Sequence, residues 1–311
     1  MTMNHKKGWA AIMCIATGVQ LGLCASAGAA KKEYLYTGID GESHGIAACF
    51  PDNHQSGGNA SCFVYFHGGS WENGDLRAGD VICNYLASRG MVALTANYSM
   101  YPKEEQKNIP AGESKKRICV MDGKTVIRWA KQHAEELGID PLKMVTGGGS
   151  AGGHISVLQM MDEEFNNPSG PEAINTEVQA FALFCPAFTV LKKDRCPDVN
   201  IFNHLDKKFP PALFFLGEND PWKPAADALI KQLAEKKSDL VVWMGPDVGH
   251  MFFREKEWIT STLIRLDEFL VENGFLDGKT SLQPAETDRQ PTCIMNSKTG
   301  VRVPALVNPD Y

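Results

Sequence analysis

Gly147-Gly148-Gly149-Ser150-Ala151-Gly152-Gly153 stands between an apolar run, 143–146, and a helical apolar pattern at Ile155, Leu158 and Met161. A serine so placed is expected at a sharp strand-to-helix turn, a nucleophile elbow, with its hydroxyl lifted clear of the backbone. Side chains two residues either side of it would collide, and Gly148 and Gly152 meet that requirement. The G-x-S-x-G pattern alone also fits a Gly-rich turn that cradles a phosphate. The rest of the chain has to decide between them.

Around the elbow, buried strands and amphipathic helices alternate. The apolar run 63–66 lacks alternation, as expected of a central strand covered on both faces. A helix is expected over 80–89, a strand over 91–96, a helix over 122–137 stopped by Gly138, and the elbow helix to about 165. Strands at 178–184, 212–216 and 240–244, with helices at 224–236 and 255–272, complete the pattern. This order predicts a mostly parallel sheet of about eight strands with helices on both faces. Before it, 34–63 reads as short antiparallel strands with a turn at Gly57-Gly58-Asn59; after 278 the periodicity stops, and 279–311 reads as an irregular tail. The expected organisation is a signal at 1–29, one α/β domain at 30–278 and that tail.

A serine hydroxyl needs a base, and the base needs an orienting acid, each carried by a loop at the carboxyl end of a strand. Asp220 answers for the acid, since it follows the buried strand at 212–216 and the break Gly217-Glu218-Asn219; Glu218 is the alternative. His250 answers for the base, because it alone of the eight histidines lies beyond Asp220 and it directly precedes the last helix. Negative charge on the tetrahedral intermediate calls for backbone donors. Gly68 and Gly69, after the central strand, and Ala151, opening the elbow helix, supply them. His67 is read as a brace for this loop and His154 as structural. Trp71 and Trp222 follow these loops and either line the site mouth, stacking on a sugar ring, or pack the loops they sit in.

His67-Gly68-Gly69-Ser70-Trp71, Asn97-Tyr98-Ser99, Gly148-Gly149-Ser150-Ala151-Gly152-Gly153, Gly217-Glu218-Asn219-Asp220 and Gly249-His250 together resemble the α/β-hydrolase esterases of the hormone-sensitive-lipase-like and acetyl-xylan-esterase-like groups. The resemblance covers roughly 60–275, and 122–154 is especially similar to exported bacterial esterases. It implies ester hydrolysis with Ser150, Asp220 and His250 as triad and Gly68, Gly69 and Ala151 as oxyanion donors, with no cofactor and no metal. Two departures stand out: Ser70 replaces the third glycine of the usual His-Gly-Gly-Gly, and the short spacing from Ser150 to Asp220 leaves room for only a small lid, expected from 186–210. An open site of this kind suits a short-acyl ester, an acetylated carbohydrate among them. The His-Gly-Gly-x-Trp pattern is also similar to that of arylformamidases, which cleave an N-formyl amide, and a non-catalytic binding module on the same fold is the third reading.

Composition narrows the partners. With 31 basic against 37 acidic residues, a net charge of -6 and no basic stripe, nothing points to nucleic acid. His5, Lys6 and Lys7, the apolar stretch 8–23 and the small residues 25–30 read as an export signal, so a periplasmic or secreted protein free of the membrane is expected. A lipoprotein processed at Cys24 fits less well, because Leu23 precedes the cysteine. Cys14 and Cys24 fall in the signal; Cys185 and Cys196 bracket a polar loop and are the best candidates for a disulfide, the others reading equally as buried small hydrophobes.

Overall fold

The computed structural model describes residues 30–161, 163–167, 173–188 and 199–302. The strands are β1 (Ala30–Thr37), β2 (Ser43–Phe50), β3 (Ala60–Phe66), β4 (Val92–Ala96), β5 (Ile139–Gly149), β6 (Ala180–Phe184), β7 (Ala212–Gly217), β8 (Leu240–Gly245), β9 (Thr292–Asn296) and β10 (Val301–Arg302). The helices are α1 (Asp80–Ser88), α2 (Lys115–Gln132), α3 (Ala134–Leu137), α4 (Ala151–Met161), α5 (Lys223–Glu235) and α6 (Lys256–Glu272). The strands form one ten-stranded sheet in the order β1-β2-β4-β3-β5-β6-β7-β8-β9-β10. From β4 to β8 every neighbouring pair is parallel, and antiparallel strands close both edges.

The apolar runs explain the layers. Because successive strand residues point to opposite faces, Phe63 and Tyr65 of β3 join a core with Leu86 of α1 and Leu266 and Leu270 of α6. Val64 and Phe66 join the opposite core with Ile127 of α2, Ile155 and Leu158 of α4 and Leu229 of α5. The central strands therefore need apolar residues at every position, and β4, β6 and β7 are buried throughout.

Register sets the site. Phe66 pairs with Gly148, Gly149 with Phe184, and Gly217 with Gly245, so β3, β5, β7 and β8 stop at one edge. The loops bearing Gly68, Ser150, Asp220 and His250 consequently leave the sheet at the same end.

Three expectations are corrected. The segment 279–311 is not irregular throughout: Thr292 and Met295 of β9 pair with Met244 and Val242 of β8, and β10 pairs with β9. These two strands raise the sheet from about eight strands to ten. β9 was hard to read because only Ile294 and Met295 are buried in its five residues, too few to show a period. Helix α2 starts at Lys115, not 122; Ser114 caps it, accepting from the Arg117 N–H at 3.2 Å, and the basic run Lys115-Lys116-Arg117 masks that start. The helix expected to run through to 137 is broken at His133 into α2 and α3, and Gly138 ends α3 in the left-handed conformation as expected.

Other expectations fall on residues without a description. The signal at 1–29 lies outside the described residues, as do 189–198 of the expected lid; the described remainder of that segment packs inward, with Val199 and Ile201 buried. Cys196 is also outside them, while Cys185 is a free, buried thiol. Among the described residues no helix is long and apolar enough to cross a membrane.

Candidate active site

Ser150 sits at φ 54 between the last residue of β5 and the first of α4, a left-handed conformation a side chain adopts only when its surroundings hold it there. Its N–H donates to the Phe184 carbonyl at 3.1 Å and its carbonyl accepts from the Ala187 N–H at 3.0 Å, which ties the turn to the end of β6. The flanking glycines are required by space. A Cβ on Gly148 would lie 2.2 Å from the Phe66 carbonyl oxygen, and one on Gly152 would lie 1.9 Å from the same atom. The end of β3 thus packs directly against the backbone of the elbow.

The serine hydroxyl has a partner. His250 Nε2 lies 2.9 Å from Ser150 Oγ, and His250 Nδ1 lies 2.8 Å from Asp220 Oδ2. The other carboxylate oxygen, Oδ1, accepts from the Trp222 N–H at 2.8 Å. Asp220 is buried, so its orientation is fixed from both sides. An ionised carboxylate can only accept. Nδ1 therefore carries the imidazole proton, and Nε2 is left to accept from the serine hydroxyl. Glu218, the alternative acid, is exposed and accepts instead from the Asp247 N–H at 2.9 Å.

These groups open onto a cavity of about 690 Å³ whose lining includes Gly68, Gly69, Ser150, Trp222 and His250. Among the described residues the N–H groups of Gly68, Gly69 and Ala151 have no backbone acceptor. The loop that carries the two glycines is a tight turn: the Gly69 carbonyl accepts from the N–H groups of Glu72 and Asn73 at 3.0 and 3.1 Å. Ser70 and Trp71 adopt φ 57 and 60 within it. Ser70 thus occupies the left-handed conformation a third glycine would adopt freely, which is how the turn survives the replacement.

His67 braces the loop as expected. It is fully buried, its Nδ1–H donates to the Gly68 carbonyl at 2.8 Å, and its ring stacks on Tyr98 at 4.3 Å between centroids. The Tyr98 hydroxyl in turn donates to the His67 carbonyl at 2.7 Å. Burial pushes the His67 imidazole below its ordinary pKa, which keeps it a neutral brace rather than a second cation near the serine. His154 is buried in α4 with Nε2 2.9 Å from the Val199 carbonyl, a structural position.

The two tryptophans separate. Trp222 lines the cavity, but Trp71, named with it as a substrate-binding candidate, is buried and does not, so of the two readings offered for it the structure fits loop packing. It packs edge-on against His154 and Trp222, at 5.3 and 6.4 Å between centroids, because the left-handed turn at Ser70-Trp71 directs it inward. Sequence reading did not single out Asp75, Arg77, Met251 and Arg254, which also line the cavity. Their signal was positional, since each lies within a few residues of a loop already chosen.

Cys185, Asp220 and His250 form the one group of potential metal ligands found among the described residues. The relay accounts for it: the histidine nitrogen and the carboxylate oxygen already bond each other. Burial, reinforced by the Asp220 charge, pushes the Cys185 thiol pKa up, so the sulfur stays protonated and is a poor ligand.

Known proteins are similar to this chain in sequence and fold. The BD-FAE family matches residues 50–190. Probable carboxylic ester hydrolase LipM of Mycobacterium tuberculosis is 25% identical over 248 residues, 69% of this chain and 55% of its own length. Carboxylic ester hydrolase LipN of the same organism is 29% identical over 168 residues, 48% of this chain and 42% of its own. The chain thus spans about half the length of these curated relatives. Among solved structures, Thermogutta terrifontis esterase 2 phosphorylated by paraoxon superposes with a TM-score of 0.72 at 28% identity, covering 80% of this chain and 96% of that one. The propionate-bound form of that esterase gives 0.71 at 28% identity, covering 82% and 97%. A ten-stranded, mostly parallel sheet, an elbow at its carboxyl edge and the superposition on this esterase together give the chain an α/β-hydrolase fold, and its sequence is similar to those of carboxylic ester hydrolases.

Proposed function

We propose that the chain is a serine carboxylesterase that hydrolyses short-acyl esters, acetyl esters of carbohydrates among them, through an acyl-enzyme. The observation that carries this reading is the relay from Asp220 through His250 to Ser150 at the floor of an open cavity. His250 takes the hydroxyl proton as Ser150 attacks the ester carbonyl, and Asp220 holds the imidazole tautomer and steadies the imidazolium that forms. The N–H groups of Gly68, Gly69 and Ala151 receive the developing oxyanion, aided by the dipole of α4. His250 then protonates the departing alcohol, and water repeats the steps on the acyl-enzyme.

A similarity supports a short acyl group: structures similar to this chain hold propionate and butyrate. The signal-like stretch at 1–29 supports export to the periplasm or beyond, where acetylated polysaccharides are found. A panel of p-nitrophenyl acetate, butyrate and octanoate, acetylated xylan and N-formylkynurenine tests the reading. Fastest turnover is expected on acetate or butyrate, with acetate released from xylan. Preference for octanoate or for N-formylkynurenine would contradict the substrate assignment.

A further inference from the structure

We infer that Arg254 forms an anion-reading subsite of this cavity, and that the esters the site favours carry a carboxylate a few atoms from the scissile carbonyl; the inference rests on the esterase reading above. Arg254 ends the 3₁₀ turn Phe252–Arg254 that follows His250. Its backbone is held: the Arg254 N–H donates to the Met251 carbonyl at 3.1 Å, and Phe252 and Phe253 are buried beneath it. With the two phenylalanines anchored inward, Arg254 is left exposed at the cavity wall, alongside Ser150 and His250.

The charges of the cavity do not cancel. Three formally charged side chains line it, Asp75, Arg77 and Arg254. Asp75 and Arg77 satisfy each other, with Arg77 Nη2 2.6 Å from Asp75 Oδ2 and the Arg77 N–H 2.8 Å from Asp75 Oδ1. Those hydrogen bonds hold the Asp75 carboxyl down at about 2, so it stays a carboxylate committed to Arg77. Arg254 has no such partner: among the described residues no carboxylate lies within ion-pair distance of its guanidinium. One uncompensated cation therefore lines the cavity that also holds Ser150 and His250, in a chain whose net charge is -6. Its field also reaches below the elbow. Burial raises the pKa of the Tyr65 hydroxyl, and the Arg254 charge is what opposes that rise most.

A guanidinium presents a planar fork of donors that matches a carboxylate two bonds at a time. In water an exposed arginine is well solvated and selects weakly. Inside a cavity, a substrate already held at Ser150 brings its own carboxylate to the fork at high effective concentration. The neutral glycine loop and Trp222 on the other walls offer an anion no competing carboxylate apart from the committed Asp75.

Two ester pairs of matched size test this, 4-nitrophenyl hemisuccinate against 4-nitrophenyl butyrate, and 3-acetoxybenzoate against phenyl acetate. They place the carboxylate on the acyl and the alcohol side. The readout is the ratio of kcat/KM for the anionic and neutral member, compared between wild type, Arg254→Gln and Arg254→Lys, which cancels intrinsic reactivity. In at least one pair Arg254→Gln is expected to lower the ratio roughly fivefold, with Arg254→Lys recovering part of it and added salt shrinking it. Ratios unchanged in both pairs, with Ser150-dependent turnover intact, would overturn the subsite and leave the esterase reading standing. Absence of any Ser150-dependent turnover would overturn the esterase reading, and this inference with it.

Discussion

Replacing Ser150 with alanine is expected to lower kcat on p-nitrophenyl acetate by on the order of a million-fold, with the folded state preserved. The size follows from what is removed. Without Oγ there is no atom to form the acyl-enzyme, and His250 has no proton to take at 2.9 Å. What survives is the binding of the ester and the backbone donors of Gly68, Gly69 and Ala151, worth a residual rate above water. Stability should move little or improve, because the change leaves the left-handed backbone at φ 54 to be held by the same neighbours while removing only a hydroxyl. Thermal unfolding followed beside the assay separates loss of chemistry from loss of fold. A variant that stays folded and hydrolyses at even a hundredth of the wild-type rate would contradict the role given to this serine.

Asp220→Asn should cost about ten-thousand-fold in kcat, through the tautomer of His250 rather than through charge alone. The neighbouring backbone dictates this. The Trp222 N–H donates to Asp220 Oδ1 at 2.8 Å, and it can donate only to an oxygen. Asparagine must therefore keep its oxygen toward Trp222 and turn its amide NH₂ toward His250 Nδ1. Nδ1 then has to accept, the imidazole proton moves to Nε2, and the nitrogen facing Ser150 can no longer take the hydroxyl proton. The loss should be read as kcat with KM nearly unchanged, since Asp220 is buried and does not line the cavity. Nitrogen chemical shifts of His250 check the tautomer independently of rate.

Much of this was legible in the sequence because the same residues answer both folding and chemistry. Gly148 and Gly152 announce the elbow because the Phe66 carbonyl lies where their side chains would be. The runs at β3, β6 and β7 announce a two-faced sheet because each is buried from end to end or nearly so. Asp220 and His250 could be chosen by order along the chain, since a parallel sheet delivers every such loop to one edge. The features that escaped depend on neighbours distant in sequence. Five residues of β9 form a strand only because β8 offers an unpaired edge, and nothing local to Thr292–Asn296 carries that information. Trp71 turns inward through two consecutive left-handed residues, which composition does not reveal when neither is glycine. The start of α2 was written in Ser114 but overlaid by a run of charge that reads as surface.

The assignment of Asp75, Arg77 and Arg254 to the cavity belongs to the same class. Each charge looks like an ordinary solvated residue until the Leu76–Gly79 and Phe252–Arg254 turns bring them to the cavity that holds Ser150.

One measurement bears most directly on Ser150 as an activated nucleophile. Folded protein is treated with paraoxon, the reagent seen on a structurally similar esterase, and the adduct is located by intact mass and peptide mapping. The expected result is a single diethyl phosphoryl group per chain, on Ser150, forming in step with loss of esterase activity and absent from Ser150→Ala. Folded wild-type protein that takes up no label, or takes it up equally in the alanine variant, would contradict an activated serine at the elbow.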